Sequence, residues 1–301
     1  MKHLLKLSDW STEEITGVLD LADKLKAEHK AGVKHTQLLG KSVALVFTKA
    51  STRTRCSFDV GVYQLGGHPV TLSSAESQIG RGEPIQDTAR VLARYFDAVM
   101  IRTYKQSDVE QLAEYGGIPV INGLTDYAHP CQVLADLQTI REFKGRLAGL
   151  KMAYVGDGNN MANSLIVGAL RTGMQIAACC PEGYRPHQQV LAFAAGFSGF
   201  SLTANPKEAA AGADVIVTDV WASMGQEQEA EKRKIAFAGY QVNAELLALA
   251  SPGCMVQHCL PAHREEEISA EVFEAHANEI FEEAENRLHA QKAVMVTLLG
   301  Q

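Results

Sequence analysis

The amino-acid sequence predicts an α/β protein with two similar-sized domains, each a mainly parallel sheet flanked by helices, and an active site in the interdomain cleft. Short apolar runs alternate with longer segments whose apolar residues recur at helical spacing, a pattern typical of parallel sheets. The chain has 301 residues, of which 46% are hydrophobic, so two medium-sized cores are the default expectation. Polar clusters follow several of the apolar runs, which is where open α/β sheets bind ligands.

Eight apolar runs predict the strands. They cover 41–47, 69–72, 97–102, 118–122, 151–155, 174–179, 213–218 and 254–259. Helical patterns lie between most of them, and the pattern over 84–96 has Pro84 in its first turn. Glycines and charged residues suggest a domain boundary near residue 147, with a bridging helix over 130–144. A last amphipathic helix is predicted over 285–299.

Charge and composition narrow the class of protein. The formal net charge is −7 and no basic run exceeds Lys232-Arg233-Lys234, which argues against a nucleic-acid partner. No apolar stretch approaches the ~20 residues of a membrane span, and the N-terminal run breaks at Asp9, too early for a signal-peptide core. Six cysteines without framework spacing indicate reduced thiols. We therefore expect a soluble, cytoplasmic protein that binds neither nucleic acid nor a membrane.

The segment Ser51-Thr52-Arg53-Thr54-Arg55 predicts a phosphate site. It follows the first strand and opens a segment with helical periodicity. A helix N-terminus offers free backbone N–H groups and a partial positive charge, to which this turn adds three hydroxyls and two guanidinium groups. The alternative is an ordinary Ser/Thr N-cap with two solvated arginines.

Other polar residues also follow predicted strands. Arg102 ends the third strand, and His129 and Gln132 stand about one turn apart at the start of the bridging helix. The first half thus offers donors and cations, which fits an anion that carries a carbonyl. In the second half, Asn160 and Asp219 supply an amide and a carboxylate, which suit an amino-acid ligand with a cationic group. Each has a structural alternative, such as a strand-end cation, a surface histidine or a helix cap.

After Ser223-Met224-Gly225, the polar stretch 226–234 is predicted to be a mobile surface loop.

Two cofactor interpretations are weaker. Gly156-Asp157-Gly158 resembles the start of a dinucleotide fingerprint, but the third glycine is replaced by Met161 and no acidic residue ends the next strand. Four potential zinc ligands fall within ten residues, but strand geometry keeps them from converging on one point; they are Cys254, His258, Cys259 and His263. No cofactor and no metal are predicted.

Five segments of the chain form recognisable motifs: Phe47-Thr48-Lys49-Ala50-Ser51-Thr52-Arg53-Thr54-Arg55, His129-Pro130-Cys131-Gln132, Asp219-Val220-Trp221-Ala222-Ser223-Met224-Gly225, His258-Cys259-Leu260-Pro261 and Glu285-Asn286-Arg287. In order and spacing, they resemble the ornithine carbamoyltransferases of the aspartate/ornithine carbamoyltransferase superfamily, and the resemblance covers essentially the whole chain. The first two resemble transcarbamoylases generally, whereas the Ser-Met-Gly and His-Cys-Leu-Pro sequences are more specific to the ornithine branch.

The resemblance implies an enzyme that makes citrulline from carbamoyl phosphate and ornithine in arginine metabolism, without a cofactor. Arg102, His129 and Cys259 would be catalytic. The implied carbamoyl phosphate site comprises Ser51, Thr52, Arg53, Thr54, Gln78, Arg102, His129, Gln132, Cys259, Leu260 and Arg287. The implied ornithine site comprises Asn160, Asp219, Ser223 and Met224.

The resemblance also implies a homotrimer with active sites at subunit interfaces, where Gln78 comes from a neighbouring subunit. The domains would be a carbamoyl-phosphate-binding domain over 1–130, a linking helix over 131–147 and an ornithine-binding domain over 148–285. The C-terminal helix, about 286–301, would pack back on the first domain. Two alternatives remain: a transcarbamoylase for another amine such as putrescine, and a non-catalytic anion-binding protein.

Overall fold

The computed structural model describes residues 1–73, 82–222 and 227–300. Contacts between residues divide the chain into two units, Met1–Gln138 with Asn286–Gln301, and Thr139–Glu285. Each unit contains a parallel sheet flanked by helices, which confirms the predicted α/β class.

The first unit holds a four-stranded parallel sheet in the order β2-β1-β3-β4. Its strands are β1 (Ser42–Phe47), β2 (His68–Ser73), β3 (Ala98–Arg102) and β4 (Val120–Leu124). Its helices are α1 (Thr12–Lys30), α2 (Thr52–Gln64), α3 (Ile85–Tyr95), α4 (Gln106–Gly116) and the start of α5 (Pro130–Lys144). Strands β1 and β3 are buried along their length because helices cover both faces of a parallel sheet.

The second unit holds a five-stranded parallel sheet in the order β7-β6-β5-β8-β9. Its strands are β5 (Lys151–Val155), β6 (Gln175–Cys179), β7 (Phe200–Thr203), β8 (Val215–Thr218) and β9 (Met255–His258). Its helices are α6 (Asn160–Arg171), α7 (Gln188–Ala194), α8 (Pro206–Ala210), α9 (Ala230–Ala236), α10 (Ala244–Leu247), α11 (Ala270–Ala275) and the beginning of α12 (Ala277–Leu299). An aromatic cluster anchors this core: Phe237 stacks on Trp221 at 5.7 Å between ring centroids and meets Tyr184 edge-on at 5.0 Å.

All eight predicted strands are present, and β7 is a further strand that was not predicted. This strand lies at the sheet edge, has only four residues and is partly exposed, so it lacks the continuous apolar run of a buried strand. Pro84 is the N-cap of α3 and not part of the helix, which covers Ile85–Tyr95.

Two further predictions were wrong in detail. The described part of the predicted mobile loop 226–234 is helical, with a 3₁₀ turn over Glu227–Glu229 followed by α9. Its inward side chain is Arg233, which forms a buried ion pair, so the helix has no apolar stripe to reveal it. The last helix begins at Ala277 and not at 285. Its first turns are acidic because Glu279 and Glu283 accept hydrogen bonds from backbone N–H groups of edge strand β9.

Among the described residues, no helix is long and apolar enough to cross a membrane.

Candidate active site

The Ser51–Arg55 turn begins α2, as predicted. Ser51 is the N-cap, and its Oγ accepts a hydrogen bond from the Thr54 backbone N–H at 3.1 Å. The N-cap alternative is therefore correct for this hydroxyl, whose own proton can still be donated. Thr54 is buried, Arg53 is half-buried, and Thr52 and Arg55 are exposed. The turn therefore combines a capped helix N-terminus with side chains that range from buried to exposed.

The Thr54 hydroxyl joins two arginines that are distant in sequence. Its Oγ1 accepts from Nη1 of Arg102 at 3.4 Å and from Nη2 of Arg287 at 3.1 Å. Arg287 also donates from Nη1 to Oε1 of Gln132 at 2.6 Å, and Nε2 of Gln132 donates to Asp136 at 2.8 Å. Four predicted site residues, from α2, β3, α5 and α12, are therefore brought together, and the charges of Arg287 and Arg102 also act on His129. We call Thr54, Arg102, His129, Gln132 and Arg287 the cationic cluster.

His129 is neutral in this cluster. It is 5% exposed, and burial holds its pKa well below the ordinary histidine value. The positive charges of Arg287, Arg102, Lys49 and Arg53 lower the pKa further. A neutral imidazole can donate a hydrogen bond to a polarised carbonyl oxygen without titrating near neutral pH.

Lys49 belongs to the same electrostatic environment but was not among the predicted site residues. Its side chain is 4% exposed; Nζ pairs with Asp126 at 3.0 Å and lies 4.9 Å from the ring centroid of Tyr104. Its position two residues before Ser51, inside the Phe47–Arg55 motif, was the available signal.

Asp219, at the end of β8, is the centre of a second group in the other unit. It is 6% exposed, and its Oδ2 accepts from Nδ2 of Asn159 at 2.8 Å. Its Oδ1 accepts from the Cys259 thiol at 3.1 Å and from the Val220 backbone N–H at 2.8 Å. The structure thus places Asp219 beside Cys259 and fixes the carboxylate with donors on both oxygens.

Asn159 orients this carboxylate, whereas the predicted site residue was its neighbour Asn160. The Oδ1 of Asn159 caps α6 by accepting from the backbone N–H groups of Met161 and Ala162 at 2.9 and 3.3 Å. Its amide nitrogen remains for Asp219, so one side chain couples the helix start to the acid. Asn160 is buried as the first residue of α6.

The segment after β9 is held by His258. Its Nδ1 accepts from the Leu260 backbone N–H at 2.9 Å, so Nε2 carries the proton and donates to Glu267 at 2.9 Å. Leu260 has φ = 59°, a left-handed conformation that this bond supports, and the Leu260–Pro261 peptide is cis. The arrangement presents Cys259 toward Asp219.

The potential zinc ligands do not form one cluster among the described residues. The metal-ligand side chains whose donor atoms lie within 4.8 Å of one another are His263, Glu266 and Glu267. Glu266 already pairs with Lys234 at 3.1 Å. Burial raises the pKa of the Cys254 thiol to about 12, which opposes the thiolate that zinc requires.

Three predicted site residues, Gln78, Ser223 and Met224, lie outside the described residues.

Comparisons with known proteins agree across both units. Residues 2–142 match the protein family described as "Aspartate/ornithine carbamoyltransferase, carbamoyl-P binding domain". Residues 148–298 match the family described as "Aspartate/ornithine carbamoyltransferase, Asp/Orn binding domain". The chain is 56% identical over 300 residues to an ornithine carbamoyltransferase of Geobacter metallireducens, covering 99% of each protein. A Carboxydothermus hydrogenoformans protein of the same name is 54% identical, with 99% of this chain and 98% of that protein covered.

Solved structures are also similar over nearly the whole chain. The ornithine carbamoyltransferase of Pyrococcus furiosus has a TM-score of 0.94 at 49% identity, covering 99% of this chain and 97% of that one. The anabolic ornithine carbamoyltransferase of Campylobacter jejuni has a TM-score of 0.93 at 40% identity, covering 99% of each.

Proposed function

Because the chain belongs to the aspartate/ornithine carbamoyltransferase family, we propose that it transfers the carbamoyl group of carbamoyl phosphate to the δ-amine of L-ornithine. The products are L-citrulline and phosphate, and the reaction serves arginine metabolism. The observation that carries the proposal is the cationic cluster, in which Thr54 at the start of α2 accepts hydrogen bonds from Arg102 and Arg287. A helix N-terminus beside two guanidinium groups suits a dianionic phosphate.

Carbamoyl phosphate binds at this cluster in the proposal. The phosphate contacts Ser51, Thr52, Arg53 and Thr54, and Arg102 spans the phosphate and the carbonyl. Neutral His129 donates to the carbonyl oxygen, in keeping with its lowered pKa. The remaining proposed contacts are Gln78, Gln132, Cys259, Leu260 and Arg287.

Ornithine binds at the group around Asp219, with Asn160, Ser223 and Met224 as further contacts. Asp219 and Cys259, 3.1 Å apart, place an acceptor and a soft polar atom together. The carboxylate orients the amine of the substrate. The Asn159 bond that holds Asp219 supports this role.

The neutral δ-amine attacks the carbamoyl carbon directly, with no covalent enzyme intermediate. Negative charge develops on the carbonyl oxygen and is stabilised by Thr54, Arg102 and His129 as an oxyanion hole. The carbon–oxygen bond to phosphate breaks, and the phosphate leaves into the positive site. An alkylammonium has a pKa of ~10.4, so the δ-ammonium first gives one proton to solvent. After attack the nitrogen carries an excess proton, and this second proton passes to the leaving phosphate.

We also propose a cytoplasmic homotrimer in which Gln78 of one subunit reaches the phosphate of the next. Large apolar side chains are exposed on α2 and α3, where Tyr63 is 75% and Tyr95 is 72% exposed. Such exposure favours a contact between subunits at these helices. The six cysteines, all within the described residues, are free thiols, which suits a reducing compartment. Light scattering after size exclusion should give three times the chain mass of 32.6 kDa, and a monomer that is fully active would contradict the shared site.

Citrulline formation from ornithine and carbamoyl phosphate, with putrescine as the alternative amine, tests the function. Activity with putrescine but not ornithine would favour a transcarbamoylase for another amine.

Arg53→Ala and Arg102→Ala should each abolish turnover, and near-normal kcat/KM in either would contradict the phosphate assignment. Asp219→Ala and Cys259→Ala should impair ornithine use more than carbamoyl phosphate binding, and an equal loss for both substrates would contradict the division between the two groups.

A further inference from the structure

We propose that Gln291 is a positioning residue for carbamoyl phosphate binding, because it fixes the guanidinium plane of Arg287 and leaves the positive charge available to the phosphate. This inference rests on the proposed function, in which Arg287 contacts carbamoyl phosphate. Gln291 itself touches no substrate. It lies one helical turn after Arg287 on α12, at the i, i+4 spacing that brings two side chains together.

The amide of Gln291 has complementary partners in one orientation. Its oxygen then accepts from Nε of Arg287 at 3.1 Å and from Nη2 at 2.9 Å, and its nitrogen donates to Oγ of Ser57 at 2.6 Å. The residue is completely buried, so losing these partners would leave polar groups without hydrogen bonds. The fork of two bonds to one guanidinium fixes its plane as well as its distance.

These bonds close a ring that includes the phosphate-binding turn. The Ser57 hydroxyl donates to the Thr54 backbone oxygen at 3.3 Å, while Thr54 Oγ1 accepts from Nη2 of Arg287 at 3.1 Å. Arg287 is therefore held from one side by Gln291 and from the other by Thr54 and Gln132. An arginine prepared in this way loses little side-chain freedom when an anion arrives.

The chemical identity of Gln291 is important because it accepts two bonds without a negative charge. A carboxylate at the same position would make the same fork but neutralise Arg287, as in an ordinary ion pair. An apolar side chain of similar length would leave the charge of Arg287 intact but would no longer fix the orientation of its guanidinium plane. The two substitutions therefore separate orientation from charge.

The same two helices provide a matched control. Lys292 of α12 donates to Oε1 of Gln64, at the end of α2, at 3.0 Å. Gln64→Met removes this α2–α12 bond about three turns away from Thr54 and leaves the Arg287 ring intact. Any effect of merely loosening the two helices should appear in this variant too.

The experiment compares Gln291→Met, Gln291→Glu, Ser57→Ala and Gln64→Met with the wild type in steady-state kinetics and thermal melting. Gln291→Met should raise KM for carbamoyl phosphate about tenfold, the factor expected from losing one or two charge-assisted bonds, while KM for ornithine changes less than about twofold. Gln291→Glu should raise it further, and Ser57→Ala should act in the same direction but less. Gln64→Met should leave both KM values unchanged at a comparable melting shift.

Inorganic phosphate binding, measured by calorimetry, separates failure of this inference from failure of the proposed function. If the wild type binds phosphate but makes no citrulline, the proposed function fails, and weaker phosphate binding in the Gln291 variants still supports the positioning role. Unchanged phosphate affinity and KM in both Gln291 variants would overturn the inference. So would a loss that adds fully to that of Arg287→Lys in the double variant, because a residue acting through Arg287 cannot weaken binding once that guanidinium is gone.

Discussion

Replacing Arg233 by methionine should destabilise the second unit by about 3–5 kcal/mol, the usual cost of removing one partner of a buried ion pair. Its Nη1 lies 2.7 Å from Oδ2 of Asp157 and 2.8 Å from the Trp221 backbone oxygen. Arg233 and Asp157 are each 6% exposed, so water cannot replace the lost guanidinium at the carboxylate. The guanidinium also stacks 5.0 Å from the Tyr184 ring centroid, which adds to the loss.

Urea unfolding followed by fluorescence measures this loss within the second unit. The chain has two tryptophans, so a Trp10→Phe background leaves Trp221 as the reporter beside the substituted contact. Adding Asp157→Asn should restore much of the lost free energy, because it removes the uncompensated charge. Burial already raises the pKa of Asp157, and loss of Arg233 should raise it further, so the cost of Arg233→Met should shrink as the pH falls and the carboxyl is protonated.

The adjacent Lys234 supplies the control. Its ion pair with Glu266 lies at the surface, so Lys234→Met should change stability little. A loss below about 1 kcal/mol for Arg233→Met, or one equal to that of Lys234→Met, would refute the reasoning.

Three further outcomes are expected. Gly158→Ala should lower the melting temperature, with a cost of about 1–3 kcal/mol or more, because an added Cβ would lie 2.2 Å from the Arg185 backbone carbon; an unchanged melt would contradict this clash. Asn159→Ala should lose about 1 kcal/mol of stability from helix capping, and it should raise KM for ornithine because Asp219 loses a hydrogen bond. Phosphate affinity in calorimetry should stay constant, and a fall in that affinity would argue against separate roles for the Asp219 group and the cationic cluster. Burial lowers the pKa of Lys292 to about 8, so the charged amine destabilises the folded state fully below pH 8 and progressively less as the pH rises toward ~10.4. The wild type should therefore gain stability relative to Lys292→Met over that pH interval. A stability difference in urea unfolding that stays constant with pH would contradict this prediction.

Much of the fold was readable from local pattern. Buried parallel strands are continuous apolar runs, and their carboxyl ends collect polar side chains, so the strands and the residues that follow them could be identified together. The pattern failed where another physical rule operated. Strand β7 is a short edge strand, α9 buries a guanidinium in place of an apolar stripe, and the acidic start of α12 serves the edge of β9.

The fold class, the start of α2 at the Ser51 cap and two groups of predicted site residues, one cationic and one acidic, could be read from the sequence. These follow from periodicity, capping chemistry and motif, all of which are local along the chain. Which of these side chains contact one another depends on the tertiary structure. The partners Thr54 and Arg287, Asn159 and Asp219, and Asp157 and Arg233 are separated by 233, 60 and 76 residues. Hydrogen bonds over such separations depend on packing that brings helix faces and strand ends together, and no local pattern encodes them.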